Sequence, residues 1–114
     1  MAEKRDLTLN ENNDEEILAV LTTNQPTDDT PLDLTGLDLE AYLKVSAATS
    51  DADGSTWTGT SGVEITVTDA VNGEVSINVP ASAITTSMGW WRLDVLDGAL
   101  RKTALYGDVT VTDL

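Results

Sequence analysis

Apolar and polar side chains alternate with a period of two over much of this chain, the spacing that gathers apolar residues on one face of a pleated strand. Val63, Ile65 and Val67 alternate with Glu64 and Thr66, and Val75, Ile77 and Val79 alternate with Glu74, Ser76 and Asn78. Between the two runs lies Asn72-Gly73, a pair suited to a type I′ turn, in which both central residues take positive φ. The pattern predicts a hairpin over 63–79. Leu37, Leu39, Ala41, Leu43 and Val45 share one face of a further strand, 37–45, with Asp38, Glu40, Tyr42 and Lys44 on the other. Trp91, Leu93 and Val95 form an inward set against Trp90, Arg92 and Asp94. Asp97-Gly98 marks a second hairpin turn into a long last strand through Val109 and Val111. Leu7 and Leu9 suggest a short first strand.

Two stretches are less regular. Ile17, Leu18, Ala19, Val20 and Leu21 form a continuous apolar run that a buried strand or a short helix would both explain. Its length and its β neighbours favour a strand over 15–21. The stretch 80–87 is expected to hold one helical turn. Turn-rich connections fill 22–31, 46–62 and 80–89. About seven short strands at this spacing read as an all-β, antiparallel, immunoglobulin-like β-sandwich, one domain over residues 1–114. The polar stretch 1–14 is expected to be an arm that orders on docking.

Composition narrows the function classes. The chain has 114 residues, of which 40% are hydrophobic, and no Phe, so its core must come from Val, Leu, Ile and Trp. Twenty acidic residues against six basic ones give a net charge of −14. Such a chain is repelled by phosphate backbones and anionic lipid, so neither nucleic acid nor a membrane is an expected partner. The excess is strongest early: residues 1–40 hold 11 acidic and 2 basic side chains, a net of −9, leaving −5 for the other 74. There is no apolar run of about 18 residues and no signal-peptide core, so a soluble chain made in a cytoplasm is expected.

Most catalytic parts are missing as well. Without His or Cys there is no imidazole base, no thiolate and no zinc site of the usual ligands. No Gly-rich phosphate loop or nucleophile elbow occurs. Carboxylate pairs of the glycosidase kind are available by chance among so many acids and carry no weight. The expectation is a non-enzymatic protein without a cofactor. Asp51-Ala52-Asp53-Gly54-Ser55 opens like an EF-hand loop, but the sixth and twelfth positions are Thr56 and Gly62 instead of Gly and Glu. Two readings are left: a cation site of another kind using Asp51 and Asp53, and an Asx-rich turn.

Neighbouring strand residues point to opposite faces, so Trp90 lies outward beside Arg92 when Trp91 faces the core. Trp90 either packs under a loop or serves as a contact residue, Trp and Arg being common interface anchors. Tyr42 and Tyr106 fall on polar strand faces and join the candidate patch. Trp57, in a loop, is a candidate plug for one end of the sandwich. Arg101 and Lys102 share the final hairpin with Arg92. A basic hairpin and an acidic N-terminal region would permit head-to-tail contact between copies, with ordinary solvated charges as the competing account. The interface candidates are thus Trp90, Arg92, Tyr42, Tyr106, Arg101 and Lys102.

One ordered series of segments carries a resemblance. It begins with Arg5-Asp6-Leu7-Thr8-Leu9 and Pro31-Leu32-Asp33-Leu34-Thr35-Gly36. Thr68-Asp69-Ala70-Val71-Asn72-Gly73-Glu74-Val75 and Pro80-Ala81 follow. Gly89-Trp90-Trp91-Arg92-Leu93-Asp94-Val95 and Leu105-Tyr106-Gly107-Asp108-Val109-Thr110-Val111 close it. Each motif is weak alone, and their order and spacing are more specific. The series resembles small β-sandwich domains of tailed bacteriophages, found in baseplate and tail-fibre proteins and in small virion proteins, most of all the short versions from phages of actinobacteria.

The resemblance implies an immunoglobulin-like virion protein with no catalytic residues to transfer. No long fibre extension is expected, which favours a small accessory subunit over a receptor-binding one. The expectation is therefore a minor tail or baseplate-associated structural protein, located in the virion after synthesis in the host cytoplasm. Its expected partners are tail, baseplate or major capsid proteins and further copies of itself. The alternatives are a head decoration protein that tightens capsomer contacts, and a carbohydrate-binding module stacking sugars on Trp90, Trp57 or Tyr42.

Overall fold

The computed structural model describes residues 3–24 and 28–113. In chain order the strands are β1 (Glu3–Lys4), β2 (Leu7–Asn10), β3 (Glu15–Val20), β4 (Thr22–Asn24), β5 (Asp28–Pro31) and β6 (Asp38–Lys44). They continue as β7 (Trp57–Thr60), β8 (Ile65–Asp69), β9 (Glu74–Val79), β10 (Trp90–Asp97) and β11 (Leu100–Thr112). One 3-10 turn, Ala81–Ala83, lies where a helical turn was expected. The larger sheet runs β11-β10-β6-β7, with β1 and β2 end to end along the outer edge of β11. The smaller sheet is β3-β9-β8, and β4-β5 is a separate hairpin.

The chain is thus an all-β sandwich. Lettered in chain order, its sheets pair as G-F-C-C′ and B-E-D, the immunoglobulin-like arrangement, with β1 and β2 in the place of a first strand along G. The antiparallel expectation holds except at that edge, where β1 and β2 run parallel to β11. Eleven strands among the described residues exceed the seven expected. The first strand is broken in two, the 22–31 connection contains the β4-β5 hairpin, and the 46–62 connection contains β7. Residues 25–27 of the first connection, and Met1 and Ala2 of the expected arm, lie outside the described residues. Within the rest of that arm Glu3–Lys4 and Leu7–Asn10 pair with β11, and Leu7 and Leu9 are buried in the core.

Alternation accounts for the core. Leu39, Ala41, Leu43, Trp91, Leu93 and Val95 come from the larger sheet, and Ile17, Ala19, Ile65, Val75, Ile77 and Val79 from the smaller one. The run forms a strand over Glu15–Val20, and Ile17, Ala19 and, just past its end, Leu21 are buried. It is not buried on both faces, however: Leu18 and Val20 stand outward, 62% and 57% exposed.

Two local expectations are corrected. Val63 does not join the core but is 72% exposed. It sits in a turn beside Gly62, whose φ is 85°, and its amide bonds the Thr60 carbonyl. The hairpin turn is also longer than the two-residue type I′ form. Asp69 pairs with Glu74 around a four-residue loop, and among the described loop residues only Gly73 has positive φ. Asn72 keeps ordinary φ because its amide and side chain both bond to the Asp69 carboxylate. Gly73 is needed for close approach: a Cβ there would lie 2.5 Å from the Leu21 carbonyl oxygen.

A candidate docking face on the larger sheet

The outward residues of β10 are Trp90, Arg92, Asp94 and Leu96. Register sets Lys44, Tyr42, Glu40 and Asp38 of β6 directly opposite them. On the other flank Tyr106 faces Arg92. A register shift then intervenes, since Leu93 pairs with Leu105 but Asp94 pairs with Thr103, leaving Ala104 as the extra residue of a bulge. The bulge swings Thr103 and Arg101 onto the outer face beside Asp94.

Asp94 is the centre of this face and is fully buried. Its carboxylate accepts hydrogen bonds from Arg92 Nε at 2.9 and 3.0 Å, Arg101 Nη1 at 2.8 Å and Thr103 Oγ1 at 2.9 Å. Arg101 also reaches Glu40 at 2.5 Å and the Tyr42 hydroxyl at 3.1 Å, and that hydroxyl donates to Glu40 at 2.9 Å. On the far side Arg92 Nη2 bonds Asp51 at 2.7 Å. Lys44, itself buried, pairs with Asp51 and donates to the Thr49 carbonyl. A buried carboxylate is costly unless fully paired, and this one has four donor contacts.

Aromatic rings interleave with the cations. The Arg92 guanidinium lies 4.6 Å from the Tyr42 ring centroid, and Lys44 Nζ lies 5.6 Å from that of Trp90. Trp90 and Tyr106 pack at 6.4 Å between centroids with a 38° tilt. Hydrogen bonds from Arg92 and then Lys44 hold the Asp51 carboxyl below the usual aspartate range. Burial, and then the bond to Glu40, push the Tyr42 phenol up. Arg101 is raised by its bonds to Asp94 and Glu40. Arg92 is opposed by burial, but its bonds to Asp51 and Asp94 more than offset that and raise it. These shifts keep Asp51 anionic, Arg92 and Arg101 cationic and the Tyr42 phenol uncharged at working pH. The chemistry suited to such an array is rigid presentation of a surface rather than proton transfer.

Five of the six candidates therefore come together: Trp90, Arg92, Tyr42, Tyr106 and Arg101. Tyr42 is buried within the array, whereas Trp90 and Tyr106 are half-buried at its surface. Lys102 is separated from the rest. It pairs with Val95 on the inner side of the sheet and lines a cleft of about 270 Å³ with Leu32, Leu37 and Leu100 at the open end of the sandwich. Strict alternation back from Tyr106 would place Lys102 outward and Arg101 inward, and the bulge at Ala104 reverses them. The basic hairpin is likewise not basic as a surface, because Arg92 and Arg101 are spent on Asp94, Asp51 and Glu40.

Sequence reasoning missed Asp94, Glu40, Lys44 and Asp51 as members of the face. The available signal was Arg92-x-Asp94 on one strand and Glu40-x-Tyr42-x-Lys44 on another, charges of both signs on one side of each. Asp51 is engaged with two cations, and Asp53 accepts from the Ser55 amide and hydroxyl in an Asx-type turn, bonds that hold its carboxyl below the usual range. Trp57 packs against the core with its ring over Gly59, where a Cβ would meet it at 2.6 Å. Comparison of the chain with models of known protein families and with curated proteins finds no match.

Proposed function

We propose that this protein is a non-enzymatic structural subunit of a tailed-bacteriophage virion, a minor tail or baseplate-associated protein that docks on a larger assembly. One observation carries the docking part: a charge-balanced, aromatic face on an otherwise strongly acidic molecule. Three cations (Lys44, Arg92, Arg101) and three anions (Glu40, Asp51, Asp94) cancel within the array. The remaining 17 acidic and 3 basic residues, which give the whole −14, lie outside this array, with Asp38 and Asp108 at its margin. A face whose charges are already paired is dehydrated on contact at less cost than an acidic one, and its half-buried Trp and Tyr are typical anchors. The virion assignment rests on the ordered segments that resemble small phage sandwich domains.

Cryo-electron microscopy of particles carrying this protein tests the reading. A few symmetric copies near the tail, with Trp90 and Tyr106 at a contact, are expected. Hundreds of copies on the head would make it a decoration protein instead, and absence from the particle would overturn the virion reading.

A further inference from the structure

The outer edge of β3 is a second surface with features of its own. Among the described residues β3 pairs only with β9, in a register that sets Leu21 opposite Gly73, and the Leu21 amide bonds the Gly73 carbonyl at 2.9 Å. Antiparallel pairing alternates along a strand, so Ala19 and Ile17 also turn their backbone groups toward β9. Those of Glu16, Leu18 and Val20 then point to the open edge. Among the described residues one of these groups has a partner there: the Leu18 carbonyl accepts a 2.7 Å hydrogen bond from the exposed Arg5 guanidinium. A groove of about 290 Å³ runs beside this edge, between β2 and β3, lined by Arg5, Thr8, Glu15, Glu16 and Leu18 among others.

Charge identifies what fits. Stretches 11–24 and 61–89, which supply the whole smaller sheet and its turns, hold four and three acidic residues and no basic one. Leu18 and Val20 form an exposed apolar pair on that acidic face. We propose that β3 is a strand-addition site for an extended, basic segment of a partner protein. Alternate apolar residues of that segment would cover Leu18 and Val20, and a Lys or Arg would face Glu16. Arg5 already supplies one cationic donor to this edge from the chain itself, and an added strand would displace its exposed side chain. A second copy is disfavoured as occupant because it would press two all-acidic faces together. The inference goes beyond the docking face on the larger sheet, and its test uses no particle, so either reading can fail alone.

The probe is the capped peptide Lys-Thr-Val-Thr-Val-Thr-Lys, added to the full chain while amide hydrogen exchange is followed by NMR. At saturation the Leu18 and Val20 amides are expected to exchange at least about tenfold more slowly, with binding that weakens as salt is raised. Leu18→Lys, at an exposed position, is expected to abolish the protection, as is Val20→Pro, which removes one edge amide without touching the β9 ladder. Should Val20→Pro fail to fold, Leu18→Lys decides. Unprotected edge amides at high peptide concentration would overturn the proposal, as would equal binding by the same peptide with Glu in place of Lys. Protection that grows with protein concentration and no peptide would assign the edge to a second copy instead.

Discussion

Asp94 shows how little a residue's place in an alternating pattern says about its surroundings. It stands on the outward side of β10, where the sequence pattern predicts solvent, yet no part of it is accessible. Two guanidiniums and a hydroxyl converge on it. Replacing it by Ala leaves both arginines facing one another without the carboxylate between them. Breaking a buried pair from one side typically costs about 3–5 kcal/mol. The lower end, about 3 kcal/mol, is expected for Asp94→Ala, since the Arg101 side chain is 42% exposed and regains water. Urea unfolding measures it, and a loss under about 1 kcal/mol would mean that Glu40 and Asp51 suffice to hold the arginines.

At the scale of elements, what was legible from the sequence was whatever the period of two governs. Val75, Ile77 and Val79, and Trp91, Leu93 and Val95, are inward as the alternation predicts. The failures fall where the period breaks. The bulge at Ala104 exchanges the faces of Arg101 and Lys102, and a bulge leaves no mark in a string of mixed residues. The pairing of β6 with β10, which brings Glu40 and Tyr42 to Asp94, joins residues some 50 apart in sequence, beyond the reach of any local rule.

The first strand was legible from Leu7 and Leu9, but its parallel pairing along the edge of β11 was not. Leu7 and Leu9 enter the core, the Trp91 indole donates to the Arg5 carbonyl at 2.7 Å, and Gly107 lets the Arg5 backbone approach closer than any Cβ would permit. Fully burying a leucine contributes about 1.5–3 kcal/mol. Removal of residues 1–10 is therefore expected to destabilise the isolated domain by about 3–6 kcal/mol. Calorimetry reads the change, and a truncated domain melting within about 2 °C of the full chain would show that the strand is a mere attachment.

For the whole molecule the decisive quantity is where the charge lies. The ion pairs are gathered mainly on the outer face of the larger sheet, while the unpaired anions are spread over the rest. Raising salt from about 10 mM to about 150 mM shortens the screening length from roughly 30 Å to roughly 8 Å. Repulsion between the scattered anions should fall, while the buried pairs around Asp94 are largely shielded from the added ions. The melting temperature is expected to rise by a few degrees over that range. A fall would mean that the paired face dominates the electrostatics of folding.

The parallel pairing of the first and last strands has a mechanical consequence. From Glu3 opposite Leu105 to Asn10 opposite Thr112, β1 and β2 run alongside β11 in the same direction. A pull on the chain at Glu3 and at Thr112 therefore draws the two strands lengthwise past each other. Every bond of the ladder shares that load at once, whereas a hairpin pulled at its open end parts one bond at a time. The same contact that completes the sheet makes this domain a link suited to tension.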